Sequence, residues 1–119
     1  MFEDTFLLGK LITGQYELSA MLVHTVYFWL KPDLSEDDRA KFQAGVESLA
    51  TIASTGQVLI GTPADTVKRP VIDDSYDCAL TVILTDIHAH DLYQDDPIHH
   101  KFVAECAHLW NRVQVYDAD

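Results

Sequence analysis

The sequence predicts an α+β fold, one antiparallel sheet with two helices on one face, and three features carry the prediction. Residues 22–30 (LVHTVYFWL) and 76–85 (YDCALTVILT) are rich in branched and aromatic side chains but do not alternate apolar with polar, the pattern of strands buried on both faces. Residues 91–106 (DLYQDDPIHHKFVAEC) carry an apolar stripe of helical period, broken near its start by a proline. Around them the elements run strand, helix, strand, strand, helix, strand, the order of a split βαβ unit.

In the first strand one parity carries Leu22, His24, Val26, Phe28 and Leu30, and the other Val23, Thr25, Tyr27 and Trp29. A helix layer covers only one of these faces. The other asks for a second subunit, most economically an identical chain whose sheet packs face to face. Lys31, Pro32 and Asp33 end the strand. Ser35, followed by Glu36, Asp37 and Asp38, has the form of a capping box with acids where the helix dipole favours them. The helix it opens is predicted to run to about Ser54, with Phe42, Val46, Leu49, Ala50 and Ala53 inward and Gly56 as its stop. Val58, Leu59 and Ile60 predict a second strand. Residues 61–75 (GTPADTVKRPVIDDS) are polar and hold two prolines, so they read as an irregular edge or a loop that could overhang a pocket.

The third strand sets Cys78, Leu80, Val82 and Leu84 on one parity and Ala79, Thr81 and Ile83 on the other. Asp86 can cap a short helix that runs to about Tyr93. Pro97 has no amide hydrogen and suits only the first turn of a helix, with Asp96 before it as N-cap. A second helical piece therefore starts at Pro97, and the two pieces meet at an elbow of Gln94, Asp95 and Asp96. Ile98, Phe102, Cys106 and Leu109 face inward from it, with Val103 and Trp110 beside them. Residues 112–117 (RVQVYD), with Val113 and Val115 facing one way, supply the fourth strand. The outcome is a ferredoxin-like βαββαβ domain over residues 21–119. Residues 1–20 are an N-terminal extension: Glu3 and Asp4 stand where a signal peptide needs basic residues, while Phe2, Phe6, Leu7, Leu8, Leu11 and Ile12 suit docking on the domain or on a second copy.

Composition narrows the function classes. A chain of 119 residues suits one domain with its own core. Nineteen acidic against eight basic residues give a formal charge of −11, which repels phosphate backbones and anionic membranes and argues against nucleic-acid binding. No apolar run approaches the roughly 20 residues of a membrane span. Cys78 and Cys106 lack metal-ligand or redox spacing and read as core thiols in a cytoplasmic protein.

His24-Thr25-Val26 with Phe28, Lys31-Pro32-Asp33, Ser75-Tyr76-Asp77 and the elbow of Tyr93, Pro97 and His99 together resemble the stress-responsive dimeric α/β-barrel (Dabb) family over about residues 21–117. The resemblance implies a homodimer whose two sheets face each other as a barrel. It also implies a lyase- or cyclase-like reaction on a small carbonyl or polyketide-like substrate, because plant polyketide cyclases that resemble this domain use a tyrosine and a histidine at the elbow. Tyr93 and His99 occupy those positions. His24 matches a pocket histidine, Cys78 stands where a further one is usual, and Asp96 stands where a histidine precedes the proline.

On this reading Tyr93 and His99 are the catalytic pair, in a pocket lined by His24, Val26, Phe28, Phe42, Cys78, Leu80, Val82 and Phe102. His99 in the first turn of its helix has its imidazole kept neutral by the dipole, and takes a proton alpha to a carbonyl while the Tyr93 hydroxyl holds the oxyanion. No metal or organic cofactor is required. The pair His88 and His90 diverges at a spacing of two, and His99 and His100 point to different faces, so neither pair reads as a metal site. The alternatives are a non-catalytic stress-response dimer and a binder of a small apolar ligand.

Overall fold

The computed structural model describes residues 21–119; the extension expected over residues 1–20 lies outside them. Strand β1 (Leu22–Leu30) leads to helix α1 (Glu36–Ser48), strands β2 (Gln57–Gly61) and β3 (Cys78–Leu84), helices α2 (Ile87–Asp95) and α3 (Pro97–Cys106), and strand β4 (Trp110–Ala118). The strands form one sheet in the order β2-β3-β1-β4, every neighbouring pair antiparallel. This is the expected α+β, ferredoxin-like order, with the second helix broken into α2 and α3.

The doubly apolar strands are central, as their composition predicts. From β1, Leu22, His24, Val26 and Phe28 are buried beneath the helices, and from β3 Cys78, Leu80, Val82 and Leu84 join them. Phe42 and Val46 of α1 and Phe102 and Cys106 of α3 close the core from above. Phe28 meets Phe42 edge to face at 5.2 Å and Phe102 at 6.0 Å between ring centroids, geometries that favour aromatic pairs beyond the area they bury. Helices α1 and α3 pack closely at Gly45, where a methyl group would stand 2.8 Å from Cys106 Sγ and 2.9 Å from Phe102 Cδ1.

Capping follows the sequence. The Ser35 hydroxyl accepts the Asp38 amide hydrogen at 3.1 Å, and Asp86 accepts that of Ala89 at 2.8 Å. The C-terminal end of α1 differs from expectation. The helix stops at Ser48 and tightens into a 3₁₀ turn over Leu49–Thr51. Three residues per turn then bring Ile52 under Leu49, so Ile52 is buried while Ala50 and Ala53, expected inward, are exposed. Gly56 is not the helix stop; its amide donates to the Ile83 carbonyl at 2.7 Å beside the start of β2. The fourth strand runs from Trp110, two residues earlier than expected, because its pairing with β1 extends past an irregularity at Trp29 and Leu30.

The opposite sheet face carries Val23, Thr25, Tyr27 and Trp29 of β1, all half-buried, and Tyr116 and Leu59, which are 60% and 52% exposed. From the segment between β2 and β3, Asp73, Ser75 and Tyr76 lean over this face, whereas Thr62 and Asp77 border a hollow with Phe42 of α1. Tyr76 packs edge-on against Tyr27 at 4.9 Å, Trp29 Nε1 donates to Ser75 Oγ at 3.0 Å, and the Asp77 carboxylate accepts the Leu30 amide hydrogen at 2.7 Å. Arg112 lies 4.1 Å above the Trp29 ring.

Candidate functional site

The elbow between α2 and α3 is built by its caps. Asp96 is extended (φ −66°, ψ 139°), its carboxylate accepts the Ile98 amide hydrogen at 2.8 Å, and Pro97 opens α3 as its first residue. Asp96 also donates its own amide hydrogen to the Tyr93 carbonyl at 3.3 Å. The two short helices are thereby fixed at an angle that brings Tyr93 from the end of one against His99 from the start of the other. Their rings meet edge to face, 5.0 Å between centroids.

Beneath the elbow lies a cavity of about 270 Å³, near the lower end of ligand-binding volumes and suited to a small molecule. Its polar end is formed by His24, His90, Tyr93, Gln94, His99 and Asp117. Its walls are apolar, from Val26, Phe28, Leu80, Val113 and Val115 of the sheet and from Leu49, Phe102, Val103 and Trp110 around them. Two buried polar atoms of lining residues, Gln94 Oε1 and Trp110 Nε1, have no hydrogen-bond partner. Orphaned donors and acceptors of this kind are costly unless water or a ligand satisfies them.

Burial shifts the two ring groups in opposite directions. Burial holds the His99 imidazole below its ordinary range, with His100 and His24 adding to the shift and Asp96 opposing it. Burial also raises the Tyr93 phenol well above its ordinary value. The histidine is thus kept free to accept a proton, and the tyrosine is kept protonated, able to donate a hydrogen bond. Both cysteines are free and buried, and burial pushes the Cys78 thiol up to about 11, which leaves it unreactive.

Of the residues expected from sequence, Tyr93, His99, His24, Val26, Phe28, Leu80 and Phe102 line this one cavity. Phe42 and Cys78 instead border a separate hollow with Leu30, Arg39 and Ile60, and Val82 is wholly enclosed in the core. Eight lining residues were not expected in the pocket: the apolar Leu49, Val103, Trp110, Val113 and Val115, and the polar His90, Gln94 and Asp117. Signals for two of them exist. His90 lies one helical turn before Tyr93 and so shares its face, and Asp117 has the strand parity of Val113 and Val115. Strand register then sets Asp117 directly opposite His24, and their side chains meet with Nδ1 2.5 Å from Oδ1.

The model of the stress responsive A/B barrel domain family matches residues 22–119. Among solved structures, a Dabb family protein with a ferredoxin-like fold from Mesorhizobium loti is similar over 83% of this chain and 95% of its own, at 23% identity and a TM-score of 0.67. A dimeric ferredoxin-like protein of unknown function from Thermobifida fusca matches over 82% and 89%, at 18% identity and a TM-score of 0.66. A hydroxynitrile lyase from Passiflora edulis matches over 82% and 91%, at 18% identity and a TM-score of 0.69. At these identities the likeness is one of fold. No curated protein matches the chain.

Proposed function

This chain belongs to the stress responsive A/B barrel domain family, and we propose that it acts as a homodimer that binds a small carbonyl compound beneath the α2–α3 elbow and moves a proton on it. The observation that carries the reading is the pairing of a neutral-leaning His99 with a buried, protonated Tyr93 at the polar end of an apolar cavity. His99 takes a proton from the carbon alpha to the carbonyl. The electron pair moves onto the carbonyl oxygen, where the Tyr93 hydroxyl stabilises the developing charge. Return of the proton from His99 to carbon closes an isomerase-like cycle, and attack of the enolate carbon on a second carbonyl, whose new alkoxide takes that proton, closes a cyclase-like one; its reverse is lyase-like, and no metal or organic cofactor is required. A structural neighbour that is a hydroxynitrile lyase supports reading this fold's cavity as a place for lyase chemistry.

Dimer formation is supported by the half-covered sheet face and by neighbours described as dimeric. The two free buried thiols suit a reducing compartment such as the cytoplasm. The test is exchange of alpha protons for deuterium, followed by NMR on small aryl ketones such as phenylacetone in heavy water. Exchange by the full chain that is lost in both His99→Ala and Tyr93→Phe, with both variants still dimeric, is the expected result. Exchange no faster than in buffer, or untouched by either change, overturns it. The apolar walls favour a second reading, a binder of a small apolar ligand, for which thermal stabilisation by aromatic compounds survives Tyr93→Phe.

A further inference from the structure

Beside the Tyr93 and His99 pair the cavity holds a second cluster. His24 from β1, His90 from α2 and Asp117 from β4 each place one donor atom within 4.8 Å of the others. We propose that these three residues form a binding site for a divalent first-row transition-metal ion, Zn²⁺ being the first choice. The inference does not depend on the reaction proposed above.

Donor chemistry selects the class of ion. Two imidazoles and one carboxylate suit zinc, cobalt or iron, whereas calcium and magnesium prefer shells made of oxygen alone. The site is built in advance by the scaffold. His24 is 4% exposed and fixed on a central strand, and Asp117 is its direct partner in the β1–β4 register. Their hydrogen bond, 2.5 Å from Nδ1 to Oδ1, becomes a pair of metal bonds when the ion takes the place of the shared proton, the neutral imidazole then carrying its one proton on Nε2. The third donor comes from α2, whose Asp86 cap and buried Ala89 and Tyr93 hold His90 over the strands, its ring centroid 5.2 Å from that of His24.

His90 is also oriented from behind. Its Nδ1 lies 3.1 Å from the Asp91 carboxylate, which leaves Nε2 as its free donor, the arrangement in which a carboxylate behind a histidine strengthens it as a ligand. Tetrahedral zinc needs donors about 3.3 Å apart. The His24 and Asp117 atoms must therefore part slightly and the His90 ring must swing inward, movements that side-chain rotation on a half-exposed carboxylate and a helix-borne imidazole allows. Three protein donors leave a coordination position open to the cavity, as in zinc sites that hold water or a ligand and unlike closed structural ones. A formal charge of −11 draws cations to the protein.

The test is titration of the chelator-stripped full chain with Co²⁺, read by visible ligand-field absorption and by calorimetry, with Zn²⁺ as competitor. One equivalent per chain is expected, displaced by Zn²⁺. His90→Ala and Asp117→Asn, both at partly exposed side chains and so tolerable to the fold, each weaken binding about 100-fold or more, at or beyond the upper end of losses seen when a supporting residue is removed. His88→Ala and His108→Ala, at exposed positions outside the cavity, leave it unchanged. Absence of Co²⁺ absorption, or binding that survives either His90→Ala or Asp117→Asn, overturns the site.

Discussion

His24 and Asp117 stand opposite each other on neighbouring central and edge strands, Nδ1 2.5 Å from Oδ1, and the pair joins two environments: the imidazole is 4% exposed and the carboxylate 44%. A buried imidazole needs its partner more than an exposed carboxylate does. Without metal present, Asp117→Ala leaves the His24 ring nitrogen buried and unpaired, which costs about 1–3 kcal/mol. Urea unfolding in the presence of a chelator measures it. The same change in a His24→Leu background should cost much less, since no polar group is then orphaned.

The shift on His99 makes stability depend on pH. Burial, reinforced by His100, His24 and His90 and opposed by Asp96, holds the folded imidazole below its ordinary value of 6.5. Between 6.5 and that lower folded value the unfolded chain binds more protons than the folded one, so stability rises with pH across this window. The contribution is fully present above 6.5 and is lost as pH falls towards the folded value. Denaturation midpoints across this window should therefore show a slope in the wild-type protein that His99→Gln reduces. The same shift keeps His99 available as a base at pH values where an ordinary histidine is already protonated, so the acid limb of any proton-exchange profile should lie below 6.5.

Gly45 is where α1 and α3 come closest, and helix propensity and packing oppose each other there. Alanine is the better helix former by about 1 kcal/mol. Its methyl group, however, meets Cys106 Sγ at 2.8 Å and Phe102 Cδ1 at 2.9 Å, both on fully packed side chains. Overpacking a dense core costs about 1–3 kcal/mol, so Gly45→Ala should lower stability despite its propensity. Cys106→Ala in the same chain makes room and should recover part of the loss, a coupling that a double-mutant cycle reads directly.

The fold was legible because its signals are local or periodic. Asp86, Asp96 and Pro97 announce two helix starts by their chemistry, and the parities of residues 22–30 and 78–84 give the buried face directly. The end of α1 was not legible, since a 3₁₀ turn that exchanges Ala50 and Ala53 for Ile52 depends on how Leu49 seats in the core. The Tyr93 and His99 neighbourhood followed from one helix break. The cluster of His24, His90 and Asp117 did not, because it joins residues more than 90 positions apart through a register that sequence leaves open. Phe42, Cys78 and Val82 share the inward parity or stripe of true lining residues, and Cys78 and Val82 even lie level with the lining Phe28 and His24 in the β1–β3 register, so neither parity nor height marks them off from the cavity.

The sheet face away from the helices makes the last prediction. Tyr116 lies opposite Thr25 in the β1–β4 register and packs loosely against Tyr27, 6.3 Å between ring centroids, while 60% of it and 52% of Leu59 stay open in a single chain. If this face is the seam between two subunits, a charge placed within it must be buried without a partner, a cost of several kcal/mol per ion. Tyr116→Glu should therefore weaken the dimer about 100-fold or more, since 1.4 kcal/mol corresponds to a factor of ten, and light scattering after size exclusion should record monomer at concentrations where the unaltered protein is dimeric. Ile87 is as exposed as Tyr116 but lies on α2, on the other side of the sheet. Ile87→Glu should leave the mass unchanged. Loss of the dimer in the Ile87 variant alone would move the seam to the helix layer, and with it the cavity's opening from solvent into the interface.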